Sequence, residues 1–387
     1  MTEHVASPLA AKYLQLHLAD GVGPILLARL LETFGDIDAV LHADRRHLES
    51  VRGVGPKIAE AILAARDPRP ALDEIQRAAQ HNVRILCLAD PDYPMALRHT
   101  PDPPTCLYVR GALHQADAIG LAIVGSRRAS TYGLEQARRF GQLLGQAGFT
   151  VVSGLAYGVD SAAHRGALDV NARTMAVLGN GLASIYPPQH RDLANAVARQ
   201  GALISECPMT AAPDRGAFPA RNRIIAGMTL GTLVIEGDNK SGALITANLA
   251  NDYNREVFAI PGPVNLPNAI GPNTLIQKSL AKLVMSLDDI LDELGPVGHQ
   301  QADHPVHDPT APTPRPAPAN LAPDERQILA VLTPDHAIGI ETVAQLANLT
   351  PARTAGALTM LQLKGAVKQL PGMQCISLVQ PQPAPQP

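Results

Sequence analysis

The sequence predicts an α/β chain: a doubly wound, extended Rossmann-like parallel sheet, preceded by a small helical domain of helix-hairpin-helix or SAM-like type and followed by a winged helix. Three observations carry this. Six short apolar runs, at 121–124, 150–152, 175–178, 202–204, 232–235 and 257–260, alternate with helical stretches, and that βαβ succession builds a parallel sheet. Ahead of them, residues 1–85 show apolar residues at helical spacing and two Gly-Val-Gly-Pro turns. Behind them, a proline-rich stretch leads to three helix patterns and two short strand patterns, the order of a winged helix-turn-helix.

The bounds agree with this division. A chain of 387 residues has room for several domains, and 46% hydrophobic against 17% charged residues excludes wholesale disorder. The formal net charge of -3 gives no global field to draw in a polyanion, so any anion site must be local. Aromatic residues are only 3% of the chain and Trp is absent, which leaves little for broad base-stacking platforms. Cys87, Cys106, Cys207 and Cys375 are widely spaced with no CxxC pair, so they read as free thiols of a reducing, cytoplasmic environment rather than zinc ligands. No secretory signal opens the chain, and the charge-free stretch 257–277 is broken by prolines and asparagines, so no membrane span is expected.

The parts follow in order. In 1–85, Gly21-Val22-Gly23-Pro24 and Gly53-Val54-Gly55-Pro56 each lead into a helix, the shape of a helix-hairpin-helix unit whose backbone N–H groups can hold a phosphate. The same turn serves as a tight connection in a helical bundle. With Lys57 the one strong phosphate partner beside either turn, the sequence favours the connection. Residues 86–120 read as a connector to the core domain at 121–295. Residues 296–320 form an extended proline-rich linker, 321–380 the winged helix, and 381–387 a disordered tail. The winged-helix part, 321–387, carries four Lys+Arg and four Asp+Glu, a balance that weakens groove binding and leaves protein contact equally open.

Chemistry concentrates where the core strands end. The first ends in Gly125-Ser126-Arg127-Arg128, the second in Ser153-Gly154-Leu155-Ala156-Tyr157-Gly158, the third in Gly179-Asn180-Gly181. Glycines admit a ligand close to the backbone and following helix starts offer N–H donors, so these turns form an anion cradle. Arg127, Arg128, Arg221, Arg223 and Lys240 fall at or near the same edge. A P-loop lysine motif is missing, and Gly125-Ser126-Arg127 replaces the second glycine of GxGxxG by a bulky cation, which disfavours a dinucleotide. Arginine there suits one phosphate group or a base. The sequence asks for neither a metal nor a cofactor.

Three catalytic readings are weaker than their structural counterparts. Asp160 and His164 could be an acid-base pair, but a helix N-cap and a packed histidine account for them. Ser153 lacks a base placed by any motif. Glu236 could act as an acid or base, or be held by Lys240 as an ion pair.

The blocks Gly125-Ser126-Arg127, Ser153-Gly154-Leu155-Ala156-Tyr157-Gly158-Val159-Asp160, Phe218-Pro219-Ala220-Arg221-Asn222-Arg223-Ile224-Ile225-Ala226-Gly227, Lys240-Ser241-Gly242-Ala243-Leu244-Ile245-Thr246 and Ile260-Pro261-Gly262 resemble, in that order, the DNA-processing protein A (DprA/Smf) family. The resemblance implies a non-enzymatic protein of natural transformation that binds single-stranded DNA, protects incoming strands and helps load the RecA recombinase, also on strands covered by single-strand-binding protein. It implies a homodimer through the α/β domain. It assigns the arginine of the first block and the lysine of the fourth, here Arg127 and Lys240, to the DNA pocket. Together with the strand-end turns this gives the expected DNA-binding set Gly125, Ser126, Arg127, Ser153, Gly154, Asn222, Arg223, Lys240, Ser241 and Gly242. Arg221 either joins the grip or holds the adjacent loops together.

The alternative is an enzyme. Gly231-Thr232 and Glu236 also resemble nucleotide-processing Rossmann proteins of the lysine-decarboxylase-like group, which hydrolyse nucleoside monophosphates. Those carry PGGxGTxxE, whereas this chain has Ala226-Gly227-Met228-Thr229-Leu230 before the Gly-Thr, which removes the glycines through which a phosphate would approach.

Overall fold

The computed structural model describes residues 5–214, 216–302, 306, 318, 320–332, 338–370, 374–377 and 379. The tail at 381–387 and most of the linker expected at 296–320 lie outside them. The chain divides into two units, Met1–His307 and Asp308–Pro387.

All six apolar runs become strands of one nine-stranded sheet: β3 (Gly120–Val124), β4 (Thr150–Ser153), β5 (Thr174–Leu178), β6 (Ala202–Ser205), β7 (Gly231–Val234) and β8 (Glu256–Ala259). They pair parallel, and a two-residue β9 (Lys282–Leu283) closes the far edge. The connector contributes the other edge. There β1 (Val83–Cys87), which begins inside the part expected to be helical at 1–85, pairs antiparallel with β2 (Cys106–Gly111), and β2 pairs antiparallel with β6, so the end of the helical part and the stretch expected to join two domains are both woven into the sheet. The order is β1-β2-β6-β5-β4-β3-β7-β8-β9. From β3 the chain runs outward through β4, β5 and β6, then crosses back to lay β7 on the other side of β3. The β3/β7 junction is therefore the topological switch point, where the loops leaving two adjacent strands diverge and open a crevice.

Near-continuous apolar strands demand cover on both faces. Helices Thr131–Gln146 and Val159–Asp169 bury Phe140, Leu144 and Val159 against Leu121, Ile123 and Val151 on one face. Helices Ala217–Gly227 and Gly242–Asp252 bury Ile224, Ile225 and Ala247 against Val124, Val152 and Val234 on the other. The N-terminal helices share a core with the edge strands through Leu14, Leu16, Ile85 and Tyr108.

The two Gly-Val-Gly-Pro turns are copies of one geometry. Gly21 and Gly53 take φ of +83° and +99°, and the capping Gly23 and Gly55 have φ/ψ of -92°/176° and -93°/175°. Polar contacts tie this part to the α/β core: the His17 imidazole Nε2 lies 2.9 Å from the Glu206 carbonyl, and the Met209 N–H donates to the buried Glu74 carboxylate at 2.5 Å.

Residues Pro296–Ala302, where the sequence reads the start of an extended linker, form a helix. Its Gly298 packs so closely on Asp288–Glu293 that a Cβ would lie 1.9 Å from the Leu291 carbonyl, which only glycine permits.

The second unit holds helices Pro323–Val331, Ile340–Leu346 and Pro351–Leu363 and a sheet ordered β10 (Ile338–Gly339), β12 (Gln374–Ser377), β11 (Val367–Leu370), a winged helix. Arg353 and Lys364, the cations flanking the third helix, are spent within the domain on Asp324 at 2.6 Å and Glu325 at 2.6 Å.

Candidate nucleic-acid interface

At the switch point lies a cavity of about 690 Å³. Its walls are the turn after β3 (Gly125, Ser126, Arg127), the segment after β7 (Asp238, Lys240, Ser241, Gly242) and the helix Ala217–Gly227 (Phe218, Arg221, Asn222). Ala156 and Asp160 from the turn after β4, and Tyr186, complete the rim.

Arg127 and Lys240 are exposed, and neither side chain holds a hydrogen bond or ion pair among the described residues. The Arg127 guanidinium lies 4.9 Å from the Phe218 ring centroid, and the Tyr186 ring lies 5.8 Å from Phe218 at 42°. A free cation stacked on an aromatic ring, with a second ring beside it, offers a phosphate contact and a base-stacking surface in one place. Composition concealed this: few aromatic residues exist, yet two converge on the pocket. The signal available was Phe218 itself, heading the Phe-Pro-Ala-Arg-Asn block.

The walls are built to hold shape. Ser241 caps the helix Gly242–Asp252, its hydroxyl accepting from the Ala243 N–H at 3.3 Å, and Asn222 donates to the Gly242 carbonyl at 3.2 Å. Arg221, buried, donates to the carbonyls of Gly154 (2.8 Å) and Val177 and to the Asn222 side chain. Burial pushes its guanidinium down to about 10, against the opposing pull of Asp160. Burial likewise raises the Asp160 carboxyl, while Arg221 draws it down. Arg221 therefore ties the turn after β4 to β5 and counters a buried carboxylate.

Arg223 sits one helical step from Asn222 and faces elsewhere. It donates to both Glu206 carboxylate oxygens at 2.5 Å and to the Asp102 carbonyl, with the Asp102 carboxylate 3.6 Å away. Tyr253 donates to that carboxylate at 2.6 Å. Of the expected set, Gly125, Ser126, Arg127, Asn222, Lys240, Ser241 and Gly242 line the cavity, whereas Ser153, Gly154 and Arg223 do not. The buried Ser153 hydroxyl donates to the Ile123 carbonyl at 2.6 Å. Several backbone donors of the cradle are already committed: Gly154 N–H to Asp160 at 3.2 Å, Ser126 N–H to the Glu236 carbonyl at 2.7 Å, Ser241 N–H to the Asp238 carbonyl at 3.0 Å. The grip rests more on side-chain cations than the glycine-rich turns suggest.

The acid-base candidates resolve into structural roles. Gly158, not Asp160, caps the helix Val159–Asp169: it takes φ +75°, and a Cβ there would meet the Ser126 carbonyl at 2.2 Å. Asp160 instead accepts from the Gly154 and Ala156 N–H groups. His164 is buried with Nδ1 2.7 Å from the Thr174 hydroxyl, whose own proton goes to the Val151 carbonyl, so Nδ1 is the donor. Glu236 is locked by the Ser130 N–H at 2.8 Å and hydroxyl at 2.5 Å, where it fixes the start of the helix Thr131–Gln146, and it forms no pair with Lys240.

Comparison with known proteins gives one consistent pattern. The family model of DNA recombination-mediator protein A matches residues 84–295, a DprA winged-helix model residues 311–373, and a SAM-like helix-hairpin-helix tandem residues 15–67. The chain is 36% identical to Protein Smf of Synechocystis sp., over 96% of this chain and 99% of that protein, and 38% identical to Protein Smf of Escherichia coli, over 72% and 74%. It is similar to the X-ray structure of DNA processing protein A from Streptococcus pneumoniae, with TM-score 0.65, 31% identity and coverage of 74% of this chain and 98% of that one. It is also similar, with TM-score 0.50, 27% identity and coverage of 58% and 97%, to DNA processing protein A from Helicobacter pylori, whose structure concerns its single-stranded DNA binding mode.

Proposed function

We propose that this chain, which belongs to the DNA recombination-mediator protein A family, binds single-stranded DNA in the cavity at the β3/β7 junction and acts by binding rather than by catalysis. The observation that carries the reading is the pair of exposed cations Arg127 and Lys240, without a hydrogen bond or ion pair among the described residues, lining one cavity that also holds the rings of Phe218 and Tyr186. Such a site grips phosphates of a flexible strand and stacks its bases, which gives strong salt dependence and weak sequence preference. The relative from Helicobacter pylori, studied for its single-stranded DNA binding mode, supports the choice of ligand. Gly125, Ser126, Asn222, Ser241 and Gly242 shape the site around these two cations.

In the cell, the protein protects incoming strands during natural transformation and loads RecA onto them, including strands covered by single-strand-binding protein, in the cytoplasm. No helix among the described residues is long and apolar enough to cross a membrane. It works as a homodimer through the α/β domain, so that two pockets act on one strand with raised effective concentration. The exposed apolar residues Val264 and Leu266 in the loop after β8, and Met285 just past the short edge strand β9, support that association. The engagement of Glu236 by Ser130 counts against nucleoside-monophosphate hydrolysis, which incubation with nucleoside monophosphates and assay for free base checks directly.

Fluorescence anisotropy with a labelled oligothymidylate tests the site. Arg127→Ala and Lys240→Ala are each expected to weaken binding by about 5- to 150-fold, equivalent to about 1–3 kcal/mol, with folding intact. Unchanged affinity in both variants would overturn the reading.

A further inference from the structure

We propose a second nucleotide subsite outside the cavity, in which the ring of Tyr157 stacks one base of the strand as it leaves the pocket. The proposal rests on the pocket reading above and extends it by one position along the strand.

Tyr157 lies in the turn after β4 whose neighbours Ala156 and Asp160 line the cavity, yet Tyr157 itself does not. The residue is 42% exposed, as large a fraction as Tyr186, which does line the cavity. Exposed tyrosines are common on loops and usually swing freely. This one is held at both ends: its hydroxyl is 2.5 Å from Gln189 Oε1, and its ring meets His190 edge-on, with centroids 5.0 Å apart at 63°. His190 is in turn buried and fixed by Nδ1 lying 2.8 Å from the Leu155 carbonyl. The segment 186–190 thus turns Tyr186 toward the cavity and braces Tyr157 from beneath.

A ring immobilised before binding loses little side-chain entropy when a base settles on it, and every base offers a π face, so the contact is both favourable and tolerant of sequence. Arg191, two residues past Gln189, is exposed and has no side-chain partner among the described residues, which supplies a cation for the adjoining phosphate. Of the neighbouring carboxylates, Asp160 is buried and turned to backbone N–H groups, so it does not oppose a polyanion at this rim, while the exposed Asp192 follows Arg191 in the first turn of the helix Arg191–Gln200.

The test couples a substitution in the protein to a deletion in the ligand. Anisotropy titrations use an oligothymidylate of a length that exceeds the cavity, and a set in which a single abasic position is walked along it. With the unaltered protein, one abasic position beyond those held in the cavity is expected to weaken binding by about 5- to 150-fold. Tyr157→Ala is expected to weaken the intact oligonucleotide by the same factor and to abolish the effect of that abasic position, whereas Tyr157→Phe, which keeps the ring and its His190 contact but loses the Gln189 tether, keeps the abasic effect and loses less affinity than Tyr157→Ala. A brace with no contact to DNA would leave every abasic effect in place in Tyr157→Ala, and that result overturns the proposal, as does unchanged affinity in Tyr157→Ala. If Arg127→Ala and Lys240→Ala were instead without effect while the Tyr157 coupling remained, the pocket would be at fault and not the subsite.

Discussion

Replacing Arg127 and Arg223 by alanine, one at a time, separates the residue proposed to hold phosphate from one that holds the wall in place. Both are arginines of the same predicted edge, and their surroundings differ sharply: Arg127 is exposed over an aromatic ring, while the Arg223 side chain is 10% exposed and paired with Glu206 and Asp102. Each phosphate contact on a single strand contributes about 0.7 to the slope of log affinity against log salt, so losing one narrows the gap between the unaltered protein and Arg127→Ala by about 2.6-fold between roughly 50 and roughly 200 mM salt. Thermal stability should hardly move in that variant, because the ring contact of an exposed cation is worth about 0.5–1 kcal/mol at most. Arg223→Ala removes the partner of two partly buried carboxylates and is expected to cost on the order of 3 kcal/mol of stability, the lower end for a broken buried pair. Its affinity falls because the helix Ala217–Gly227 shifts, yet its salt slope stays that of the unaltered protein. Anisotropy titrations at four salt concentrations, with urea unfolding alongside, read both quantities. If Arg223→Ala lowered the salt slope as Arg127→Ala does, the assignment of Arg223 to positioning would be refuted.

Three other outcomes follow from the structure. Burial, with His190, Arg221 and Arg165 nearby, drives the His164 imidazole down to about 3, and burial also lowers His17. The folded state therefore excludes protons that the unfolded chain accepts below about 6.5, so stability is full above that pH and falls as pH drops, by up to about 1.4 kcal/mol per pH unit for His164 and in the same direction for His17. His164→Asn, which keeps a donor toward Thr174, should flatten the slope measured by urea unfolding between pH 6 and pH 5 by about 1.4 kcal/mol per unit. Gly166→Ala gains about 1 kcal/mol of helix propensity but sets a Cβ 2.1 Å from the Arg138 carbonyl; overpacking of about 1–3 kcal/mol or more against rigid backbone wins, and the melting temperature should fall. A chain ending at His307 should bind oligothymidylate within about twofold of the full chain, because the cations beside the third helix of the winged helix are already paired.

How much of this was legible in the sequence depends on the range of the interaction. The six core strands were, because runs such as 121–124 and 175–178 are apolar throughout and buried throughout, a pattern that needs no partner to be recognised. The strand-end cradle was legible through Gly125, Arg127 and Lys240, since the sheet rule places ligands at carboxyl ends. The fate of the boundary at 85/86 and of the connector was not: nothing local in 83–87 and 106–111 says that they pair with each other, or that 106–111 then pairs with β6, a partner almost a hundred residues on. Nor could the sequence divide Arg221, Asn222 and Arg223 among loop tie, cavity wall and ion pair. Successive residues on a helix point about 100° apart, and which direction meets the cavity is set by packing of the whole helix. The N-cap shifted from Asp160 to Gly158 for a similar reason, the deciding contact being the Ser126 carbonyl from the turn after β3.

The most direct test of the central claim is the structure of the full-length protein in complex with a short oligothymidylate. The account predicts phosphates within hydrogen-bond distance of Arg127 and Lys240 and a base against Phe218, with the strand seated at the β3/β7 junction. An empty cavity with the strand bound instead along the Gly-Val-Gly turns or on the winged helix would contradict it.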